Sequence, residues 1–394
     1  MDGSFFDAKR PWSKYKDLLL KFYLDPYIAK VGQLKKGGRP IPVLIVDSFA
    51  GRGRFADGSP GSPILIADAV RKWRGKGIDV SAQFIEADSG NFDALRRELS
   101  GYGDNVVTTC GTFEESLPAV QKAAERSTVF LYVDPFNVRV LDFAALKAVY
   151  DQIRKSDSSV EVLLNFNVAI FMRWALAALK RWESMPAASE FESMADNPDE
   201  HVERKTLTSI AGGDDWIAIA EDPSLSFQER LEQFLAVYTG RMQKTFKHVE
   251  VFGVRERYKH TVPKYAMIHG TRHDDGFLLM NDAMCKANRT FINDEFASEM
   301  AGSLSDIRPE EAHADRTLLT RSIKDLVKAR GEVTRATIQV ETLRHGLFGR
   351  VTKREINTAV SGLLKQNELE RCTTSGRVND EALLRLPSQM GLFG

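Results

Sequence analysis

The chain has 394 residues, 43% of them hydrophobic and 27% charged, which excludes a disordered or fibrous protein and leads us to expect a soluble globular one. Its 54 Lys and Arg balance 54 Asp and Glu, so contact with nucleic acid must come from a local patch rather than the field of the whole molecule. Three widely spaced cysteines (Cys110, Cys285, Cys372) argue against a disulfide framework or a cysteine-rich zinc site, and a reducing cytoplasm is the expected compartment.

Residues 12–31 predict an amphipathic helix, with Trp12, Tyr15, Leu18, Leu19, Phe22, Tyr23 and Ile28 recurring mostly at spacings of three and four. This stripe is expected to be core or a lid on the sheet, with Trp12 buried and Lys14 and Lys16 near the crevice. After Gly37-Gly38-Arg39-Pro40, the short β-branched run Ile41 to Val46, ending at Asp47, predicts a buried strand. Then follow a helix from Ile64 to Trp73, a strand over 82–86, a helix over 92–99, a strand over 105–109 and a helix over 112–126. A strand over 128–133, a helix over 141–155 and a strand over 160–166 complete the alternation. Strands alternating with helices imply a parallel sheet whose chemistry lies at the carboxyl ends of the strands. Those ends carry Asp47, Glu86, Thr109 to Gly111, Asp134 to Phe136 and Asn165 to Asn167.

Residues 168–246 predict a helical insertion, and Val249 to Glu256 with Lys264 to Gly270 a hairpin able to close the sheet with an antiparallel edge. No apolar run is long enough to span a membrane, and Met1 to Ser4 opens no secretory pattern. The domains expected are 1–296, an acidic linker over 297–315 containing Pro309, and 316–394. In the last, helices over 318–330, 334–345 and 353–365 precede a hairpin around Ser375-Gly376-Arg377, the order of a winged helix-turn-helix. Residues 321–385 hold 13 basic and 8 acidic residues, a surplus of 13 − 8 = +5. Arg350, Lys353, Arg354 and Arg377 are the candidate contacts to nucleic acid; a winged helix that binds protein is the alternative.

Four constellations carry the chemistry. In Asp47-Ser48-Phe49-Ala50-Gly51-Arg52-Gly53, two glycines at spacing two let a ligand approach the backbone, and Asp47 stands where a carboxylate can receive an ammonium. Ser62 and Pro63 are expected to cap and open the next helix. Glu86 is placed to accept both hydroxyls of a ribose. It comes about 35 residues after the glycine pair, where dinucleotide folds put their acid roughly 20 residues on behind a third glycine. That spacing and the missing third glycine point from NAD to S-adenosylmethionine. Gly111 permits close packing, and Thr112 either donates to a ligand or caps the following helix. Asp134-Pro135-Phe136 forms an acid-Pro-aromatic corner able to hold an amino group and stack on its ring. His269 and His273 complete no zinc spacing, so no metal is expected.

Trp12 to Lys16, Asp47 to Arg54, Gly61-Ser62-Pro63, Phe84-Ile85-Glu86, Asp134-Pro135-Phe136 and Leu164-Asn165-Phe166 together resemble the three-Cys-motif partner proteins, over roughly residues 10–285. That family looks like the class I methyltransferases. The resemblance implies a Rossmann-like α/β sheet, with Gly111 and Thr112 at the height of an adenine ring and a protein partner bearing a three-cysteine motif. A wider similarity is to amino-directed nucleic-acid methyltransferases, whose signature has a second proline before the aromatic; here Phe136 stands one position early. The leading expectation is methylation of a base amino group. Asp47, Phe49, Ala50, Gly51, Gly53, Glu86, Gly111 and Thr112 would hold S-adenosylmethionine, and Asp134, Pro135 and Phe136 the acceptor. The alternatives are a nuclease holding Mg²⁺ on Asp47, Glu86 and Asp134, and a non-catalytic scaffold for DNA or a partner protein.

Overall fold

The alternating apolar runs and amphipathic segments fold as a sheet layered by helices. A computed structural model describes residues 11–36, 38–155, 159–185, 202–255, 262–295, 304–344, 346–372 and 379–387. The chain divides into two compact units, residues 1–276 and 277–394.

In the first unit α1 (Pro11–Val31) leads through a two-strand ribbon, β1 (Lys35–Lys36) and β2 (Arg39–Pro40), into β3 (Val43–Asp47). Then come α2 (Ser62–Arg74), β4 (Val80–Glu86), α3 (Ser89–Leu99), β5 (Val106–Cys110), α4 (Phe113–Ala124) and β6 (Thr128–Val133). The series continues with α5 (Phe143–Lys155), β7 (Val160–Phe166) and α6 (Val168–Ala178). Three insertion helices follow, α7 (Arg204–Ala211), α8 (Asp215–Glu221) and α9 (Phe227–Met242), and then β8 (His248–Val254) and β9 (Tyr265–Thr271).

The seven-stranded sheet has the order β5-β4-β3-β6-β7-β9-β8. Its first five strands are parallel, and β9 and β8 add antiparallel to β7 and to each other. Every position of β3, β6 and β7 is buried, which explains their mostly apolar text; the buried polar exceptions are Asp47, Thr128, Glu161 and Asn165. The register sets Asp47 beside Phe84 and Tyr132, so the carboxyl ends of the central strands lie level. The chain runs outward from β3 through β4 to β5 and returns to β6 on the other side of β3. This reversal opens a crevice between β3 and β6, the topological switch point of an open α/β sheet.

Helix α1 packs on α2, and α2 on α3, while α4 packs on α5 and α5 on α7. Of the predicted stripe on α1, Tyr15, Leu19, Tyr23 and Ile28 are fully buried, as is Tyr27, while Leu18 and Phe22 are half-buried; the side chain of Trp12 lies outside the described residues. The insertion builds a second apolar layer: Phe171 stacks on Phe234 with centroids 4.3 Å apart, and Phe166 tilts against Tyr238 at 5.1 Å. Deleting one such buried ring costs about 3–5 kcal/mol.

Helix α10 (Asp274–Glu295) opens in the first unit and continues into the second. The second unit also holds α11 (Leu304–Arg330), β10 (Glu332–Thr334), α12 (Arg335–Glu341), α13 (Lys353–Lys365), β11 (Glu370–Arg371) and β12 (Leu383–Arg385). Its three strands pair antiparallel in the order β10-β12-β11, and Leu319, Ile323, Ile338, Leu343, Ile356, Val360 and Leu384 form its core. Thr352 closes a reciprocal capping box with Glu355 at the start of α13, which sets where that helix begins. Fully buried Asn281 of α10 clamps the preceding loop, accepting from Gly349 N–H at 2.8 Å and donating to the Val351 carbonyl at 2.9 Å.

Two expectations are corrected here. The units divide at Gly276 rather than at 296, and the linker expected over 297–315 is helical from Leu304. Acidic composition suggested a solvated connection, but acids are equally favoured in the opening turns of a helix. The hairpin tip with Ser375, Gly376 and Arg377 lies outside the described residues.

Candidate active site

The switch-point crevice is a cleft of about 880 Å³, and the elements around it deliver residues from distant parts of the chain. The loop after β3 forms its floor. Gly51 and Gly53 have φ of +65° and +85°, left-handed conformations that a side chain disfavours. A Cβ on Gly53 would also stand 3.3 Å from Cβ of Glu98. The loop is held by the Ala50 N–H on the Ile85 carbonyl at 2.9 Å and the Gly61 N–H on the Gly53 carbonyl at 2.8 Å.

Glu86, at the end of β4, is half-buried and braces this loop. It accepts from the Gly51 N–H at 2.8 Å on one oxygen and from the Asp88 N–H at 2.8 Å on the other. Each oxygen keeps a second lone pair toward the cleft, enough for the two hydroxyls of a ribose. Asp88, the competitor for this role, instead caps α3 through the Asn91 N–H at 2.9 Å.

Asp47 is placed differently from its expectation. It is 0% exposed and lies beneath the cleft rather than on its wall, accepting from Ser62 Oγ at 2.7 Å and from the Phe49 N–H at 3.3 Å. Burial raises its carboxyl to about 7; the Ser62 hydroxyl and the Phe49 N–H offset only part of this, and nearby Asp134 and Glu86 add to it. Ser62 therefore is not the N-cap of α2: Gly61 takes that position and Ser62 opens the helix, its hydroxyl committed to Asp47. Asp47 acts as an anchor of the loop, and a direct bond to a ligand ammonium is not what the geometry offers.

Gly111 and Thr112 line the far wall. Thr112 caps α4 in a reciprocal box with Glu115, so its hydroxyl is already used, and Gly111 has a φ of +152°. Phe49 sits beside Phe113, with ring centroids 6.2 Å apart, and both line the cleft at this end.

Asp134, beyond the end of β6, is the hub of the opposite end. Its Oδ1 receives Lys16 Nζ at 2.8 Å and Asn165 Nδ2 at 2.7 Å; its Oδ2 receives Lys16 Nζ at 2.6 Å and the Tyr132 hydroxyl at 2.9 Å. An ionised carboxylate offers about four lone-pair positions, and all four are filled. Burial, with Asp134 and Asp47 nearby, holds the Tyr132 hydroxyl well above its ordinary range, so it is a neutral donor. Pro135 and Phe136 line the cleft, and Phe136 is 61% exposed, unusual for an aromatic ring. Among the buried polar atoms of cleft-lining residues, Ser48 Oγ and Asn165 Oδ1 have no hydrogen-bond partner among the described residues. Leaving such an atom unpaired costs about 1–3 kcal/mol.

Sequence reasoning set Lys16 near the crevice but not on Asp134, read Ser62 as a helix cap rather than a partner of Asp47, and gave no role to Tyr132. Lys205, Thr206 and Ser209 of the insertion and Tyr265 of β9 also line the cleft, with no signal in the sequence. The seven residues Phe49, Ala50, Gly51, Gly53, Glu86, Gly111 and Thr112 do share one cleft with Asp134, Pro135 and Phe136, and Asp47 underlies it. Asp47, Glu86 and Asp134 each face separate partners, so they do not converge as metal ligands. Among the described residues no group of His, Cys, Asp and Glu is arranged to hold a metal ion.

In the second unit Arg350 pairs with Asp315, and Lys353 Nζ approaches Asp380 at 3.4 Å. Arg354 is exposed on α13, and Arg377 lies outside the described residues. The basic surplus is thus partly answered by acids of the same unit. Partly exposed pairs of this kind contribute little to stability. No helix among the described residues is long and apolar enough to cross a membrane.

No family model matches the sequence, and no curated protein matches it. Solved structures resemble it only slightly. The bifunctional kinase-methyltransferase WbdD is 15% identical with a TM-score of 0.31, over 65% of this chain and 39% of that one. A geranyl diphosphate methyltransferase bound to GPP and sinefungin is 9% identical with a TM-score of 0.28, over 64% of this chain and 76% of that one. The glycopeptide N-methyltransferase MtfA, complexed with sinefungin, is 16% identical with a TM-score of 0.23, over 37% of this chain and 50% of that one. These neighbours are methyltransferases of differing substrates, and likeness this slight assigns neither reaction nor substrate to the present chain. What stands by itself is a Rossmann-like sheet with a glycine-loop cleft at its switch point.

Proposed function

We propose that the first unit is an S-adenosylmethionine-dependent methyltransferase acting on an amino group of a nucleic-acid base. The observation that carries this reading is the glycine loop. Two residues of positive φ bring backbone to the cleft floor, and Glu86 is held by that same loop with a lone pair free on each oxygen. The residues fit the cofactor: the left-handed backbone at Gly51 and Gly53 and the unpartnered Ser48 Oγ of the cleft suit a ligand carrying polar groups. Glu86 would hold the ribose, Phe49 and Phe113 would flank the adenine end with Gly111, and Gly51 and Gly53 would admit the methionine part. When bound, S-adenosylmethionine supplies an electrophilic methyl carbon. The chain's own work is to orient the acceptor, and Phe136 offers a stacking face for an unstacked base.

The second unit supports a winged-helix reading: its helices α11, α12 and α13, with the sheet β10-β12-β11, follow that order. In this proposal α13 meets a duplex, Arg350 and Lys353 exchange their acidic partners for phosphates, and exposed Arg354 adds a further phosphate contact. A partner protein with a three-cysteine motif belongs to the same proposal, on sequence resemblance alone.

The test is titration calorimetry with S-adenosylmethionine, followed by incubation of the full chain with a labelled methyl donor and separate DNA, RNA and protein pools. Cofactor binding that drops at least tenfold in Glu86→Ala, with label entering DNA or RNA, is expected. No binding by the unaltered protein sinks the cofactor assignment; label only in protein sinks the nucleic-acid assignment. In the same assay Lys353→Gln with Arg354→Gln should reduce nucleic-acid labelling and leave cofactor binding unchanged.

A further inference from the structure

At the acceptor end of the cleft an arriving N–H group finds Asp134 already satisfied, because Lys16, Tyr132 and Asn165 fill its lone pairs. Asn165 offers what Asp134 does not. An ionised carboxylate only accepts, so the Asn165 amide must turn Nδ2 toward Asp134 and leave Oδ1 on the other side. Asn165 lines the cleft, is 2% exposed, and its Oδ1 has no hydrogen-bond partner among the described residues. Buried acceptors of folded proteins have partners, and one in a cleft wall draws its partner from the ligand. Phe136, 61% exposed, lines the same cleft.

We propose that Asn165 Oδ1 accepts an N–H from the methyl-accepting substrate, and that Asp134 is a positioning residue that holds the Asn165 amide in the accepting orientation. This rests on the methyltransferase reading and narrows it to planar, amine-bearing acceptors. Lys16 and Tyr132 complete the device. The Lys16 ammonium is ion-paired with Asp134, and the Tyr132 hydroxyl donates to its Oδ2, so the carboxylate is held from two further sides. A carbonyl in place of the amine would set two acceptors against each other, and the site rejects it.

The test uses pairs that differ in that one group, adenosine against inosine and cytidine against uridine. Each is titrated into the full chain saturated with S-adenosylhomocysteine. The amine-bearing member of at least one pair should bind about tenfold tighter or more. Asn165→Leu should abolish that ratio while keeping S-adenosylhomocysteine affinity and thermal melting. Asp134→Asn should diminish the ratio, since a carboxamide at 134 lets the Asn165 amide face either way. Asn165→Ser takes the place of the leucine variant if that variant does not fold, with the same loss expected. Equal binding within both pairs, binding of no nucleoside, or a ratio untouched by the Asn165 variant overturns the proposal. Failure to bind S-adenosylhomocysteine at all overturns the methyltransferase reading instead, so the two failures are separable.

Discussion

The two ends of the cleft solve the same problem, a carboxylate drawn out of water, by opposite means. At the β3–β4 end the loop satisfies the acids from within: the Phe49 N–H and Ser62 hydroxyl serve Asp47, and the Gly51 and Asp88 N–H groups serve Glu86. At the β6–β7 end Asp134 is satisfied by side chains, and one of them, Lys16, comes from α1, 118 residues away in sequence. Backbone donors are fixed by the local fold, so the first end is a rigid cradle. Side-chain donors can be exchanged, so the second end is adjustable, as suits a position where an acceptor must come and go. The difference teaches that cofactor cradle and acceptor corner should respond separately to mutation.

The largest effect is expected at Asp134. Asp134→Ala leaves the Lys16 ammonium, 15% exposed, without its partner and frees the Asn165 amide. Methyl transfer should fall roughly 10³-fold, within the range for loss of a positioned polar group, while the Kd for S-adenosylmethionine changes little. A parallel loss of both would mean that the two ends are one coupled unit and would break the comparison.

Next is the pH dependence of Asp47. Its folded carboxyl is raised to about 7 from the ordinary value of 3.8, so the folded state holds a proton that the unfolded chain has released between those values. The stabilisation from this proton is full below the unfolded value and is lost as pH rises through about 7, a span worth up to about 4 kcal/mol. Asp47→Asn should therefore gain on the wild type as pH rises from 4 to 8. Chemical denaturation of both proteins across that range measures the gap; a constant gap shows that Asp47 is already ionised and paired when folded.

The smallest is Gly53→Ala. Positive φ costs an alanine about 1–2 kcal/mol, and its Cβ would press on Glu98. Cofactor affinity should drop about tenfold with little change at the acceptor end, read as an unaltered amine-to-carbonyl binding ratio. A changed ratio would sharpen the picture by showing that strain in the cradle travels along the sheet.

How much of this was legible follows the same division. Glycine at 51 and 53 behind an apolar run, and an acid ending the next strand, are local patterns, and they marked the floor of the cleft correctly. The strands over 128–133 and 160–166 were read to the residue because burial on both faces leaves a mostly apolar, β-branched text, broken in the second only by Glu161 and Asn165. Ser62 was misread as a cap because a serine before Pro63 carries the usual signature, and only packing shows its hydroxyl spent on Asp47. Residues 304–315 of the acidic stretch were misread as linker because composition does not separate a solvated connection from a helix's opening turns.

The sequence by itself determined which segments are strands, that they run in a parallel α/β order, and that polar and glycine residues gather at their carboxyl ends, since each is a consequence of nearest neighbours and periodicity. Only the tertiary structure decided that Asp47 lies beneath the cleft, that Lys16 closes on Asp134, and that Asn165 presents the unpaired acceptor. Those facts depend on how α1 settles against the sheet and which strands become neighbours, contacts between residues far apart in the chain that no local pattern records.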